Sequence, residues 1–289
     1  MPDLEFCKFH GFGNDYIVVE EKAMSVVSGV AEFARAICDR HRGVGGDGVA
    51  IIEEATENEA DFHCRIFNPD GSEAGFSGNG TRCAVAYLYF KDIWSDQDLE
   101  LETPSGLKQF RFLGRSGNQF GFRSKLGTPA FEASKIPFTS ETVGPDEPVV
   151  GYKTRLGVRE YEITCLNTGN PVCVVFVDDF SFNWRRVGRL LENDAHFPER
   201  TNVVFVKVRT RREIDIRIWE RGAGETSSSG TCSIGAAVAS AYTGKTDREI
   251  DVVAPGGITK SLWDEDDVMV IEGTAELAFT GRFSIIDRD

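Results

Sequence analysis

The sequence lacks the features that mark several classes of protein. None of its apolar runs approaches the roughly 20 residues that a membrane-spanning helix needs, and its first residues include neither the basic nor the apolar segment of a secretory signal. Basic residues are scarce: the chain has 32 of them and 46 acidic residues. The resulting net charge of -14 opposes non-specific attraction to nucleic acid or an anionic membrane. We therefore expect a cytoplasmic protein with a small-molecule ligand, and neither nucleic acid nor a membrane as its partner.

Cysteine and histidine are too scattered for a cross-linked or metal-binding protein. The seven cysteines are odd in number and include no C-x-x-C pair. The four histidines form no closely spaced ligand cluster. The sequence therefore predicts neither disulfide bonds nor a metal site.

The chain has 289 residues, 41% of them hydrophobic, which is enough for one large domain or two smaller ones. An internal repeat helps to decide between them. Residues 65–80 resemble residues 217–232, which lie 152 positions later. Residues 13–19 resemble residues 169–175 at the similar separation of 156. Two motifs that recur in the same order favour a duplication. The alternative is coincidence, because Gly-Asn and Ser-Gly turns are common wherever the backbone needs a positive φ.

Each half of the chain repeats a strand, a glycine turn and a helix. The strands are predicted at residues 63–67 and 214–219, and the alanine-rich helices at residues 81–89 and 233–240. We therefore expect an α+β fold of two similar lobes. The first would span residues 1–126, with residues 276–289 returning to it, and the second residues 127–275.

Two equivalent serines precede the predicted helices. If the lobes face each other, Ser77 and Ser229 would reach one ligand from opposite sides, which suits proton transfer. The turns that follow them, Gly78-Asn79 and Gly230-Thr231, would present free backbone N–H groups and the positive end of a helix dipole, which can hold a carboxylate. The simpler interpretation is that serine and threonine only cap the helices.

Seven ordered motifs give the chain a family resemblance. They are His10–Tyr16, Arg42–Gly48, Phe67–Ala74, Gly78–Cys83, Gly169–Pro171, Pro198–Asn202 and Glu220–Thr226. Their order and spacing resemble those of diaminopimelate epimerase. The resemblance implies two pseudo-symmetric lobes, each a mostly antiparallel sheet wrapped around a central helix, with a cofactor-independent active site in the cleft between them. It also implies an isomerase that converts LL- to meso-diaminopimelate by 1,1-proton transfer, in lysine and peptidoglycan precursor biosynthesis.

The resemblance further implies which residues hold the substrate. The positions that match those binding its amino and carboxylate groups are Asn14, Asn68, Asn170, Asn202, Glu220 and Arg221. Arg221 would pair with the distal carboxylate as a planar fork. The turns Gly78-Asn79 and Gly230-Thr231 would hold the α-carboxylate. Taken singly, each asparagine is more often a turn or cap residue than a ligand contact.

The chain departs from the family at both catalytic positions, where Ser77 and Ser229 replace cysteine. A free thiol has a pKa of ~8.5, whereas an alcohol lies nearer the ~15.7 of water. A gap of about five to seven pKa units costs roughly 7 to 10 kcal/mol on forming the base. Val172 also stands where the family usually has histidine. We expect nearby Cys83 to be buried, while Cys232 could present a reactive thiol at a helix N-terminus.

Three interpretations stay open. The chain is an epimerase of this type, impaired by its serines or assisted by a neighbouring acid or base, for which the candidates are His63, Asp70, Glu73, Glu220 and Glu225. Otherwise it is an isomerase or racemase of the same fold that acts on a different amino acid or carboxylate, or a ligand-binding protein without catalysis. The sequence leaves open the true substrate, the natural or engineered origin of the serines and the oligomeric state, with a homodimer among the possibilities.

Overall fold

The computed structural model describes residues 3–56, 59–75 and 77–285. The chain divides into two compact units. The first lobe consists of Met1–Ser124 together with Gly273–Asp289, and the second lobe of Lys125–Glu272.

Both lobes combine many strands with few helices. The elements of the first lobe are strands β1 (Asp3–Gly11), β2 (Asn14–Glu20), β3 (Gly48–Glu54), β4 (Phe62–Phe67), β5 (Glu73–Ala74), β6 (Asp98–Glu102), β7 (Lys108–Ser116) and β8 (Gln119–Lys125), helices α1 (Val30–Cys38) and α2 (Gly78–Phe90), and a 3-10 helix at Glu21–Val26. Those of the second lobe are β9 (Tyr152–Leu156), β10 (Arg159–Asn167), β11 (Pro171–Phe176), β12 (Asn202–Thr210), β13 (Glu213–Glu220), β14 (Gly224–Thr226), β15 (Glu249–Ala254) and β16 (Gly257–Trp263), helices α3 (Trp184–Glu192) and α4 (Gly230–Tyr242), and a 3-10 helix at Ala133–Lys135. Strand β17 (Met269–Ser284) contributes residues to both lobes.

The strands of the two lobes pair in the same succession of directions. In the first lobe β1 and β2 are antiparallel, β2 and β3 parallel, β3 and β4 antiparallel, β4 antiparallel to β5 and parallel to β6, and β6 and β7 antiparallel. In the second lobe β10 to β16 repeat each of these pairings in the same order. The predicted α+β fold of two pseudo-symmetric lobes is confirmed.

Helices α2 and α4 are the central helices of the two lobes, and each has thirteen residues. Helix α2 packs on β1, β2 and β3, and α4 packs on β10, β11, β15 and β16. Most of their side chains are buried, which is why neither sequence shows a polar face. Within the three described stretches of the chain, no helix is long and apolar enough to cross a membrane.

The central helices begin at Gly78 and Gly230, three residues before the alanine-rich segments 81–89 and 233–240. The glycines that the sequence analysis interpreted as a turn form the first helical turn instead. Glycine has a low helix propensity, but here it is needed for space: a Cβ on Gly80 would lie 2.9 Å from Cε1 of Tyr16. The unpaired N–H groups at each helix start therefore belong to the predicted binding residues themselves.

Candidate active site

In the first lobe, Ser77 occupies the N-cap of α2, where the backbone is still extended. Its Oγ accepts a hydrogen bond from the Gly80 N–H at 3.1 Å and lies 2.8 Å from the hydroxyl of Tyr16. Thr81 donates its own hydroxyl to the Ser77 carbonyl at 2.8 Å. Ser77 thus caps the helix, as the simpler interpretation expects, and its hydroxyl also meets a tyrosine that the sequence analysis missed.

A chain of side-chain hydrogen bonds brings Asn14 and Asn79 together in the same lobe. The Asn79 amide donates to Oδ1 of Asn14 at 3.2 Å, and the Asn14 amide donates to Oδ2 of Asp47 at 2.7 Å. Arg82 donates to Oδ1 of Asn79. Each carboxamide therefore has a fixed orientation, because its oxygen and its nitrogen are both engaged.

Arg82 is a buried cation in the first turns of α2, only 3% exposed. Its guanidinium donates to the carbonyls of Thr274 at 3.0 Å and Gly78 at 3.4 Å as well as to Asn79, and these acceptors are neutral. Burial lowers the pKa of Arg82, yet arginine stays protonated in proteins. Together with the helix dipole, this charge makes the start of α2 positive and favours an anionic ligand there.

Asp15 and Asp47 belong to a cluster of ion pairs that anchors Asn14. Asp15 pairs with Lys8 at 2.8 Å and with Arg40 at 2.7 Å, and Arg40 also pairs with Asp47 at 2.7 Å. Burial raises the pKa of Asp15, but the hydrogen bonds from Arg40 and Lys8 outweigh it and bring the pKa to about 2. The cluster therefore fixes Asp47 as the acceptor for the Asn14 amide.

Asn68 takes part in its own turn. Its amide donates to Ser72 Oγ at 3.0 Å, its N–H donates to the Ser72 carbonyl at 2.8 Å, and its carbonyl accepts from the Gly71 N–H at 2.9 Å. These bonds are those of a turn residue. The contact of Asn68 with substrate stays a prediction.

In the second lobe, Ser229 begins α4 as Ser77 begins α2, but its surroundings differ. In the described part of the chain, the Ser229 side chain accepts no hydrogen bond from a backbone N–H of α4. Its Oγ lies 3.5 Å from the Thr231 hydroxyl. The Glu220 carboxyl also lies beside Ser229, and Ser229 is only 7% exposed. Burial raises the pKa of Glu220, and the hydroxyls of Ser229 and Thr226 oppose that shift in part. A partly buried carboxyl with a raised pKa beside a serine is suited to proton transfer.

Asn202 connects the other predicted binding residues of the second lobe. Its amide donates to the Pro171 carbonyl at 3.0 Å, and its Oδ1 accepts from the Arg221 N–H at 3.0 Å. The turn that contains Asn170 is thereby held beside Arg221, whose guanidinium donates to the Glu199 carbonyl at 3.1 Å. A guanidinium has five N–H groups, so this single bond leaves donors for a ligand carboxylate.

Glu192 is a buried carboxylate that the sequence analysis missed. It accepts hydrogen bonds from Trp219 Nε1 and from the Gly222 N–H, both at 2.8 Å, and pairs with Arg200 at 3.3 Å. Trp219 and Gly222 flank the predicted site residues Glu220 and Arg221. Glu192 therefore fixes the end of β13, where Glu220 lies, and the turn that begins with Arg221, although no local motif marks Glu192.

The remaining acid and base candidates are engaged elsewhere in their lobes. Glu73 pairs with Arg65 at 2.7 Å, Glu225 with Arg185 at 2.7 Å and His63 with Glu53 at 2.9 Å, while Asp70 accepts from the Ser72 hydroxyl at 2.6 Å. The hydrogen bond from Arg65 holds the pKa of Glu73 below its usual range. In the described part of the chain, no three His, Cys, Asp or Glu side chains are grouped so as to hold a metal ion.

The two cysteines near the serines are not reactive thiols. Both are buried; burial raises the pKa of Cys83 to about 12 and the pKa of Cys232 still further above its usual range. The expected burial of Cys83 is confirmed. The suggestion that Cys232 presents a reactive thiol is wrong, because desolvation of a thiolate there outweighs the helix N-terminus. Val172 is also buried and packs on α4, with its Cγ1 3.1 Å from where a Cβ on Gly235 would lie.

Comparison with known proteins decides the family. The model of the diaminopimelate epimerase family matches residues 6–129 and 164–278. A diaminopimelate epimerase of Desulforudis audaxviator is 39% identical over 284 residues, which cover 97% of this chain and 99% of that protein. The chain belongs to the diaminopimelate epimerase family. The resemblance stated from the seven motifs is confirmed.

Two solved structures show that the fold extends beyond this family. A hydroxyproline epimerase from Agrobacterium vitis matches with a TM-score of 0.68 at 13% identity, over 98% of this chain and 91% of that one. A phenazine biosynthesis protein from Bacillus anthracis matches with a TM-score of 0.65 at 16% identity, over 99% and 100% of the two chains. At these identities the likeness concerns the fold alone.

The different surroundings of the two serines in this epimerase-family chain predict different effects on stability. We expect Ser77→Ala to lower the free energy of unfolding by about 1 kcal/mol, because it removes the cap bond to Gly80. Ser229→Ala should lower the free energy of unfolding distinctly less, because the Ser229 side chain makes no cap bond. Urea unfolding of the two variants measures the difference. Equal losses would contradict the assignment of the cap to Ser77 alone.

Proposed function

We propose that this chain is a diaminopimelate epimerase, which inverts one α-carbon by removing its proton on one face and returning a proton on the other. The observation that carries the proposal is its similarity to diaminopimelate epimerases over nearly the whole chain. The reaction belongs to lysine biosynthesis. The cytoplasmic location and the homodimer stay predictions.

The second lobe supplies the base in this proposal. Glu220 takes up the α-proton through the Ser229 hydroxyl: as the Cα–H bond breaks, its electron pair moves into the substrate carboxylate, Ser229 receives the proton, and the Ser229 O–H proton passes to Glu220. The raised pKa of Glu220 supports this role because it brings the carboxyl closer to the strength of a useful base. From the sequence, Glu220 is expected both as a substrate-binding residue and as one of five candidate acids or bases.

The first lobe supplies the acid and an anion site. Ser77 donates its hydroxyl proton to the carbanion, while the start of α2 at Gly78 and Asn79 holds the α-carboxylate. Buried Arg82 and the helix dipole both favour negative charge there. The distal carboxylate pairs with Arg221, which Asn202 orients through its backbone N–H.

Exchange of the α-proton in deuterated water, followed by NMR across a panel of amino acids, tests the proposal. Exchange with inversion of diaminopimelate is the expected result. Exchange confined to another amino acid or a carboxylate would favour an isomerase or racemase of different substrate. Binding of diaminopimelate in calorimetry without any exchange would favour a protein that keeps the binding site and has lost catalysis.

A further inference from the structure

Tyr16 is held beside Ser77 from two sides. It is 7% exposed, and its hydroxyl lies 2.8 Å from Ser77 Oγ. Two glycines make room for the ring: a Cβ on Gly80 would lie 2.9 Å from Tyr16 Cε1, and a Cβ on Gly48 would lie 2.8 Å from the same atom. The ring therefore cannot turn away from Ser77 without moving β3 or α2.

The hydrogen bonds of Ser77 define what its hydroxyl can still do. Its Oγ already accepts from the Gly80 N–H, which leaves one acceptor site and one proton. When Tyr16 fills the acceptor site by donating its own proton, the Ser77 proton is left to point at a ligand. Tyr16 thereby favours the orientation in which Ser77 is a hydrogen-bond donor.

The equivalent position in the second lobe carries no such group. The motif offset of 156 pairs Tyr16 with Val172, an apolar residue packed on α4. Ser229 has the Glu220 carboxyl beside it instead. A phenol has an ordinary pKa near ~10 and a carboxyl near ~4.3. The two serines, equivalent in the sequence repeat, therefore stand beside a weak acid in one lobe and beside a base in the other.

We propose that Tyr16 is the positioning residue that makes Ser77 the proton donor; the proposal rests on the epimerase function proposed above. When the carbanion forms, the Ser77 O–H bond breaks and a new Cα–H bond forms. The Tyr16 proton then passes to the Ser77 oxygen, and the Tyr16 oxygen is reprotonated from water. The proton that Glu220 took up is released to water, which balances the proton that water gave to Tyr16, and both residues return to their starting states.

A thiol at position 77 tests the contact without any need for activity. In the Ser77→Cys variant, Tyr16 should donate to the thiolate, so adding Tyr16→Phe should raise the thiol pKa by about one to two units. The pH dependence of alkylation by iodoacetamide measures that pKa. The native cysteines of the described residues are all buried and should not interfere. Tyr87→Phe is the matched control and should leave the thiol pKa unchanged. Tyr87 is buried like Tyr16, but it lies on α2 and its hydroxyl donates to Glu20 at 2.7 Å.

The partition between exchange and inversion tests the role in the reaction. Tyr16→Phe should lower epimerisation about 10- to 100-fold, the effect of losing one hydrogen bond to a developing charge. Exchange without inversion should persist for one stereoisomer, because removal and return of the proton on the Ser229 side are untouched. A purely structural role would instead lower both processes together, as in a misfolded protein.

The outcomes separate this proposal from the proposed function. An unshifted thiol pKa, or unchanged epimerisation in Tyr16→Phe, would overturn the role of Tyr16 while leaving the epimerase intact. Absence of exchange both in the parent and in the variant that combines Ser77→Cys with Ser229→Cys would overturn the proposed function. The role of Tyr16 in the reaction would then fall as well, even if the thiol pKa shifts.

Discussion

The double replacement Ser77→Cys with Ser229→Cys is expected to raise the epimerisation rate of diaminopimelate by at least about a thousandfold. A thiol is more acidic than an alcohol by about five to seven pKa units, or roughly 7 to 10 kcal/mol. In the proposed mechanism, Glu220 and Tyr16 already offset part of that difference in the parent. Recovery of about 4 kcal/mol is enough for three powers of ten in rate.

Both positions suit a thiolate, since each lies at the N-terminus of a central helix, which lowers a thiol pKa. Either single replacement should do far less, because inversion needs an acid on one face and a base on the other, and groups that act as a unit are not additive. Ser227→Cys is the control: its exposed side chain lies two residues before Ser229 and should leave the rate unchanged.

Two results would contradict this account of the serines. A double variant that folds, binds diaminopimelate and stays inactive would mean that more than the thiols is missing, with Val172 the first suspect. A parent that already turns over at an ordinary enzyme rate would mean that the serines do not limit the reaction. The prediction that the two serines reach one carbon from opposite faces depends on the same experiment.

The fold was predictable because two sequence motifs recur in the same order at a nearly constant separation. The central helices start at Gly78 and Gly230, which are 152 residues apart like the motifs. Each helix includes the glycines before its alanine-rich segment, although glycine normally argues against a helix. Close packing of the Gly80 backbone against Tyr16 overrides that preference, and such tertiary contacts leave no local signal in the sequence.

The hydrogen-bond partners of the candidate site residues were not predictable from the sequence. Asn14 and Asn79 were named from motifs, yet Asp47, which fixes Asn14, reaches it only because β2 and β3 pair in parallel. The difference between Ser77 and Ser229 was hidden for the same reason. Tyr16, which touches Ser77, comes from β2, 61 residues earlier in the chain, whereas Glu220 at the end of β13 is close to Ser229 in sequence.

The other large effect is expected for Glu220→Gln, which should lower exchange of the α-proton by about 10²- to 10⁴-fold. The amide keeps the size of the side chain and can still hydrogen-bond Ser229, but it cannot take up a proton. Glu213→Gln is the matched control, since Glu213 lies at the opposite end of the same strand and pairs with Arg209 at 2.8 Å. That variant should exchange as fast as the parent.

Stability should respond to Glu220→Gln in the opposite direction. The pKa of Glu220 is raised in the folded protein, so ionisation of this carboxyl at neutral pH costs folding free energy. The cost is absent below the unfolded pKa of ~4.3 and is complete above the folded pKa. Thermal unfolding should therefore show no gain for Glu220→Gln in acid and a gain that grows as the pH rises to neutrality. A variant that is less stable than the parent at neutral pH would mean that Glu220 is held as a stabilised carboxylate, which would remove the physical reason for making it the base.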